Sequence, residues 1–135
     1  GSCDALCGWE DVMPTLLDLA GVAVPQGLDG RSLVPAMRGK TSDVREELHG
    51  VCLDRAPHRY VVAGRYKYIW YTKTNEEQLF DLEKDPGELH DVSAGAELLG
   101  PMRESMAKAA KRAGMAYDTS ALVPCANRTP KALAY

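Results

Sequence analysis

Apolar and polar residues follow strand-like patterns in the middle of the chain. Three runs there are rich in Val, Ile, Tyr, Trp and Phe, and they are separated by Gly64 and by a polar stretch. This pattern is typical of antiparallel strands joined by turns, and Gly64 suits a tight turn because glycine tolerates a positive φ. An earlier apolar run, ahead of Pro57, predicts one more strand. The predicted strands cover residues 46–54, 58–63, 66–72 and 78–82.

Two short helices are predicted before this sheet. Apolar positions recur with helical spacing over residues 9–20, and the segment ends at Gly21. Pro14 is expected in the first helical turn, where a missing N–H costs no hydrogen bond. Residues 33–38 predict a second helix between a capping Ser32 and a following glycine.

A longer helix is predicted after the sheet, over residues 96–113. Its apolar residues recur at three-and-four spacing, which predicts one buried face against the sheet. The predicted buried face consists of Met102, Met106, Ala109 and Ala113. The predicted basic outer face consists of Arg103, Lys108, Lys111 and Arg112.

These elements predict an α+β fold in which a small antiparallel sheet of about four strands packs against the long C-terminal helix. A chain of 135 residues is long enough to bury one core. The predicted organisation is a helical segment with a linker at residues 1–44, the sheet and long helix at 45–114, and an irregular tail at 115–135.

Charge and hydropathy exclude two classes of partner. The formal net charge is -3 and the isoelectric point is about 5.6, so the chain lacks the basic surface that nucleic acids select. No apolar run approaches the ~18 residues of a membrane-spanning helix. We therefore expect neither a nucleic-acid partner nor a membrane partner.

No motif in the chain predicts a metal site. The four cysteines, Cys3, Cys7, Cys52 and Cys125, lack the spacing of a disulfide framework or of a zinc-binding pair, and we expect free thiols. Residues 81–87 (DLEKDPG) resemble the beginning of a calcium loop, but their glycine stands at the seventh position instead of the sixth. We expect no metal and no other cofactor in this chain.

The best candidates for ligand contact lie around one turn. His49 and His58 belong to the two strands that this turn joins, and Arg55 lies within it. Loops at strand ends commonly carry binding groups, and these side chains suit an anion. We predict substrate binding by His49, Arg55 and His58, the alternative being ordinary surface histidines. No nucleophile, general-base or phosphate-binding motif is recognisable, so no catalytic residue is predicted.

Four longer strings of residues carry a resemblance to a known family. They are DVMPTLLDLAG at 11–21, GLDGRSL at 27–33 with MRG at 37–39, GRYKYI at 64–69, and QLFDLEKDPGELHD at 78–91. In content and order these strings resemble the C-terminal third of the sulfatases. The resemblance implies that the short helices are the end of a large α/β domain, and that the sheet and long helix form its smaller C-terminal subdomain.

In the sulfatases the reacting groups belong to that large domain. It holds a calcium ion and a formylglycine, which is made from the Cys or Ser of a C/S-x-P-x-R motif. This chain contains no such motif. The resemblance therefore implies that calcium and formylglycine lie in a missing N-terminal domain and that this chain alone is inactive. It also implies two partners, the missing domain and a sulfated small molecule or sugar, with His49, Arg55 and His58 at the mouth of the cleft.

Two alternatives remain open at the level of sequence. The chain could belong to a phosphodiester or phosphonate monoester hydrolase of the same superfamily, which shares the scaffold. It could also be a free-standing, non-catalytic binding domain. A fragment predicts an exposed apolar patch and self-association, whereas a free-standing domain predicts a sheet with a polar outer face.

Overall fold

The computed structural model describes residues 2–94 and 97–124. The chain divides into two compact units, Gly1–Leu48 and His49–Tyr135. The first unit is helical, and the second contains most of the sheet and the long helix. None of the helices in the described part of the chain combines the length and the apolar character that a membrane span requires.

The first unit contains two short helices, as predicted. A 3-10 turn at Trp9–Asp11 leads into helix α1 at Val12–Leu19, and helix α2 covers Val34–Met37. Pro14 is the third residue of α1, so its missing N–H interrupts no hydrogen bond of the helix. The chain leaves α1 at Gly21, which adopts a φ of 70°.

Asp11 is fully buried and ties the first unit together. Its Oδ2 accepts a hydrogen bond from Gly8 N at 2.8 Å, and its Oδ1 accepts one from Arg31 N at 2.8 Å. Arg45 adds an ion pair to the same carboxylate. The backbone carbonyl of Asp11 accepts a hydrogen bond from Thr15 Oγ1 at 2.6 Å. Because a buried carboxylate without partners would be costly, these donors fix the loops around the start of α1.

The sheet has five strands in the order β1-β2-β3-β4-β5. Its four long strands are antiparallel, which confirms the predicted fold class. In the central hairpin, His58 lies opposite Tyr71 and Ala63 lies opposite Tyr66. The strands are β1 at Glu47–Cys52, β2 at His58–Ala63, β3 at Tyr66–Tyr71, β4 at Glu76–Asp81 and β5 at Val123–Pro124.

Strand β4 begins at Glu76, two residues earlier than predicted. The reason is Asn75, which adopts a φ of 57° and accepts a hydrogen bond from Trp70 Nε1 at 2.8 Å. Asparagine tolerates this left-handed conformation better than most residues. The turn is therefore short, and Glu77 enters the sheet opposite Trp70.

Helix α3 covers Leu99–Arg112 and packs on one face of the sheet. Its buried face differs from the predicted one at the C-terminal end, because Ala110 is buried whereas Ala113 caps the helix and is exposed. Residue 96, where the predicted helix begins, lies outside the described residues. The core between helix and sheet consists of Val61, Tyr68, Trp70, Leu79, Leu99, Met102, Met106 and Ala110.

The other face of the sheet also carries buried apolar side chains. Val62, Ile69 and Phe80 are 8%, 6% and 3% exposed. Each of them is next in sequence to a core residue that faces α3, and successive side chains of a strand point to opposite faces. The sheet is therefore apolar on both faces.

The segment that follows α3 returns to the sheet, although the sequence predicts it to be irregular. A 3-10 turn at Thr119–Ala121 leads to β5, which runs parallel to β4 with Val123 opposite Glu76 and Pro124 opposite Glu77. The remaining tail, residues 125–135 with Cys125, lies outside the described residues.

A buried polar network joins the sheet, α3 and this returning segment. Glu77 on β4 is fully buried, and its Oε2 accepts hydrogen bonds from Tyr68 Oη at 2.9 Å and from Arg103 Nε at 3.0 Å. Arg103 also donates from Nη2 to Oε1 of the same carboxylate. Tyr117 extends the network, with its Oη 2.8 Å from Tyr68 Oη. The predicted place of Arg103 on the basic outer face is therefore wrong, because the buried carboxylate draws its guanidinium inward.

Burial raises the pKa of both tyrosines in this network. At Tyr117 burial is the main cause, and it raises the pKa to about 12. At Tyr68 burial is again the main cause and the hydrogen bond with Tyr117 adds to it, so the pKa of Tyr68 is raised strongly. The hydrogen bonds to Glu77 raise the pKa of Arg103. The network therefore requires neutral phenols beside a charged Glu77–Arg103 pair.

We expect the free energy of unfolding to fall as pH rises from 10 to about 12. The fold holds the pKa of Tyr117 at about 12, above its ordinary value of 10.0. The stability that the neutral phenol contributes is therefore complete below pH 10 and is lost as pH rises through 12. Tyr117→Phe removes this titration, so its stability should fall less steeply. Urea unfolding at several pH values measures both slopes, and equal slopes would contradict the assignment.

Candidate functional site

The three predicted substrate-binding residues lie around the turn between β1 and β2. His49 lies on β1, and its Nε2 is 3.4 Å from Ser105 Oγ on α3. His58 begins β2, and the centroid of its ring is 5.4 Å from that of Tyr71. Arg55 belongs to the turn itself and is exposed. Arg55 and His58 therefore lie at the turn, whereas His49 lies three residues before the end of β1 and does not join them in a cluster.

The two histidines lie on opposite faces of the sheet. His49 is on the face that α3 covers, because its ring reaches Ser105. His58 is three residues from Val61, a core residue facing α3, so strand alternation directs it to the other face. In the sequence, Arg55 is closer to His58 than to His49. Substrate binding by these three residues stays a prediction.

Hydrogen bonds from side chains and from a neighbouring strand end hold the turn that carries Arg55 and His58. His58 Nδ1 lies 2.8 Å from the carbonyl oxygen of Ala56, and Thr72 N donates to the carbonyl of Pro57 at 3.0 Å. Arg55 N donates to Asp54 Oδ1 at 2.7 Å. With Nδ1 donating to Ala56, the Nε2 atom of a neutral His58 is the acceptor nitrogen of the ring. The exposed guanidinium of Arg55 on this ordered turn suits recognition of an anion, whereas Nε2 of a neutral His58 would accept a hydrogen bond from a substrate hydroxyl.

Carboxylates of the second unit satisfy protein donors instead of converging on a cation. In the stretch that resembles a calcium loop, Asp81 pairs with Arg65 at 3.2 Å and Asp85 accepts a hydrogen bond from His90 N at 2.7 Å. Within residues 2–94 and 97–124, no three side chains of His, Cys, Asp or Glu are grouped so that they could hold a metal ion. Cys3, Cys7 and Cys52 are free thiols.

In the 3-10 turn and helix α1, large apolar side chains face outward, whereas Pro14 and two polar residues are buried. Asp11 and Thr15 are buried, whereas Trp9 is 92% exposed and Leu16 is 61% exposed. A helix on a solvated surface has the opposite arrangement. We name the outward-facing residues the α1 stripe; they are Trp9, Val12, Met13, Leu16 and Leu19.

The α1 stripe is a candidate docking surface. Its members recur at positions that share one side of a helix, so their side chains form one continuous apolar surface. Contiguous apolar surfaces of this kind mark contacts with another protein segment. The apolar spacing that predicts α1 does not distinguish core from docking surface, and the distinguishing signal is the buried polar pair Asp11 and Thr15 on the opposite side.

Comparison with known proteins gives a consistent assignment. Residues 2–113 match the family described as N-sulphoglucosamine sulphohydrolase, C-terminal. An arylsulfatase of Clostridium perfringens is 38% identical over 90 residues, which are 66% of this chain and 19% of that protein. A Delta 4,5-hexuronate-2-O-sulfatase of Bacteroides thetaiotaomicron is 42% identical over 92 residues, which are 62% of this chain and 18% of that protein. The chain spans about a fifth of the length of these relatives.

A solved structure shows the same architecture. The structure of a 2-O GAG sulfatase is 33% identical and superposes with a TM-score of 0.66, over 77% of this chain and 24% of that one. The sequence resemblance, the family match and the superposition point to the same region of the same enzymes. The chain belongs to the N-sulphoglucosamine sulphohydrolase C-terminal family and corresponds to the C-terminal region of sulfatases.

Proposed function

We propose that this chain is a C-terminal fragment of a sulfatase, and that it serves sulfate-ester hydrolysis as scaffold and substrate rim. The match of residues 2–113 to a family of sulfatase C-terminal regions carries the proposal. The named relatives are sulfatases several times longer than this chain. The reacting groups would then belong to the part of those enzymes that this chain does not span.

One surface supports a fragment of a larger enzyme over a free-standing binding domain. The α1 stripe exposes apolar side chains where a separate domain would be polar. Val62, Ile69 and Phe80 on the second face of the sheet do not distinguish the two, because they are buried. We propose that residues 1–44 belong with a preceding α/β domain and that residues 45–114 form the subdomain. The division of the chain after Leu48 is close to this boundary.

The occupant that we propose for the α1 stripe is this preceding α/β domain. The exposed Trp9 and Leu16 are stabilised only when apolar surface covers them, so the occupant has to be apolar where it meets them. Relatives more than three times as long as this chain would supply such a surface in the same polypeptide. The stripe would then be interior in the complete enzyme.

The described residues do not fit the calcium ion and formylglycine that the sulfatase family implies. Calcium takes about six to eight oxygen ligands, whereas the described residues hold no group of three candidate ligands. Formylglycine requires a C/S-x-P-x-R motif, which the sequence lacks. We assign both groups to the preceding domain and no reaction step to this chain.

The substrate rim that we propose consists of Arg55 and His58, with His49 on the adjoining strand. A sulfated sugar is an anion, and the exposed guanidinium of Arg55 offers several donors for its charged oxygens. Hydrogen bonds that involve the side chains of Asp54 and His58 hold the turn in place. The rim would select the substrate through contacts away from the reacting sulfate.

The isolated chain should not hydrolyse an aryl sulfate in the presence of calcium, whereas the complete product of its gene should. The reason is that the catalytic groups act together, and we assign all of them to the preceding domain. Release of the aryl alcohol measures both activities. Turnover by the isolated chain above the buffer control would contradict the proposed division of roles. A complete product that cleaves a phosphonate monoester but no sulfate ester would favour the phosphoester alternative.

The isolated chain should self-associate through the α1 stripe, and Leu16→Lys should weaken that association about tenfold because it places a charge in the apolar contact. Leu89→Lys is the matched control, since Leu16 and Leu89 are both 61% exposed and Leu89 lies outside the stripe. Sedimentation velocity at several concentrations measures the association. A chain that is monomeric throughout, or equal effects of the two substitutions, would count against the stripe.

Arg55→Ala in the complete gene product should raise KM for a sulfated sugar about tenfold with little change in kcat, because it removes a charge-assisted contact that does not change during the reaction. Arg112→Ala is the control, because Arg112 is an exposed arginine at the end of α3. Steady-state kinetics measures KM for a sulfated sugar and for a simple aryl sulfate. A change in KM for the sugar alone would place the effect at the rim and not at the reacting centre. An unchanged KM for the sugar would remove Arg55 from the rim.

A further inference from the structure

We propose that residues 115–124 form an edge strap, a segment that closes the outer edge of β4 and prevents this edge from pairing with a strand of a second copy of the chain. The strap consists of the turn after α3, the 3-10 turn at Thr119–Ala121, and β5. The proposal rests on contacts within the second unit and does not depend on the sulfatase assignment.

The outer edge of β4 needs cover because β3 pairs with its other edge. An open strand edge presents unpaired N–H and C=O groups, which are a template for another strand. At Leu79 the loop after β4 gives this cover, since Asp91 Oδ1 accepts a hydrogen bond from Leu79 N at 3.0 Å and Val92 N donates to Leu79 O at 2.8 Å. At Glu76 and Glu77 the cover is β5. Two separate segments therefore close one edge.

Tyr117 anchors the strap in the core. Its ring lies edge-on to Trp70, with centroids 4.6 Å apart, and its Oη is 2.8 Å from Tyr68 Oη. Edge-to-face aromatic pairs contribute beyond the area that they bury. A second contact, from Asn75 Nδ2 to the carbonyl of Asp118 at 3.4 Å, lies beside the anchor. The strap therefore contacts the turn between β3 and β4 at Trp70 and Asn75, the two residues whose hydrogen bond precedes β4.

The strap can be released without loss of the rest of the sheet. Only two residues of β5 pair with β4, whereas β2, β3 and α3 contribute most of the core. Strand alternation gives Leu79 and Glu77 outward-pointing N–H groups, since Leu79 N binds Asp91 on the edge away from β3. Opening of such a short segment is a local event and exposes the N–H of Glu77 while the loop still holds that of Leu79.

The test compares Tyr117→Ala with Tyr117→Phe in the full chain, both combined with Leu16→Lys to suppress contacts through the α1 stripe. Phenylalanine keeps the ring against Trp70 and should keep the strap docked, whereas alanine removes the anchor. Amide hydrogen exchange at low protein concentration should become about tenfold faster at Glu77 in the alanine variant, as expected when a local opening loses ~1.4 kcal/mol. Exchange at Leu79 should be unchanged, because the loop around Asp91 still covers it.

Raising the concentration of the alanine variant should restore protection at Glu77 as sedimentation shows a dimer. Met102→Ala is the control for general destabilisation, because Met102 is a core residue of α3 outside the strap. It should accelerate exchange at Glu77 and Leu79 together. Three results would overturn the proposal: joint acceleration at both positions in Tyr117→Ala, unchanged exchange, or association without renewed protection of Glu77.

Discussion

The second unit depends on one buried carboxylate, that of Glu77, and on the donors that surround it. Glu77 is on β4, Tyr68 is on β3 and Arg103 is on α3, so a single side chain joins three elements. A buried charge is tolerated only when its hydrogen bonds are complete, and this requirement fixes the position of α3 along the sheet more sharply than apolar contact alone. Tyr117 then brings the returning segment to the same point.

Asp11 has a corresponding role in the first unit, with a consequence for the surface of α1. Its carboxylate and the Thr15 hydroxyl take the inward side of the helix because the loops supply N–H donors there. The apolar side chains of α1 therefore have to point outward. The α1 stripe follows from the burial of Asp11 and is the main feature by which the first unit indicates a partner.

The distribution of polar groups explains why this region suits a supporting role. The best-placed charged side chains, Asp11, Glu77, Asp81 and Arg103, are all engaged in holding loops, strands and α3. A reacting centre needs charged groups that point at a substrate, and such groups carry a cost in stability. The turn at Arg55 differs from these sites, because its guanidinium faces solvent, as the exposed Lys108 and Arg112 of α3 also do.

The sequence by itself determined the strands, the long helix and the membership in the sulfatase family, because strand alternation, helical spacing and family strings are local features that neighbouring residues display. Only the tertiary structure decided which way Arg103 points, that Glu77 is buried, that His49 and His58 lie on opposite faces, and that Tyr117 returns the tail to β4. These outcomes depend on partners far apart in the chain, such as Glu77 and Arg103. The outward face of α1 was also decided by the tertiary structure, since an apolar stripe has the same sequence pattern whether it faces a core or a second domain.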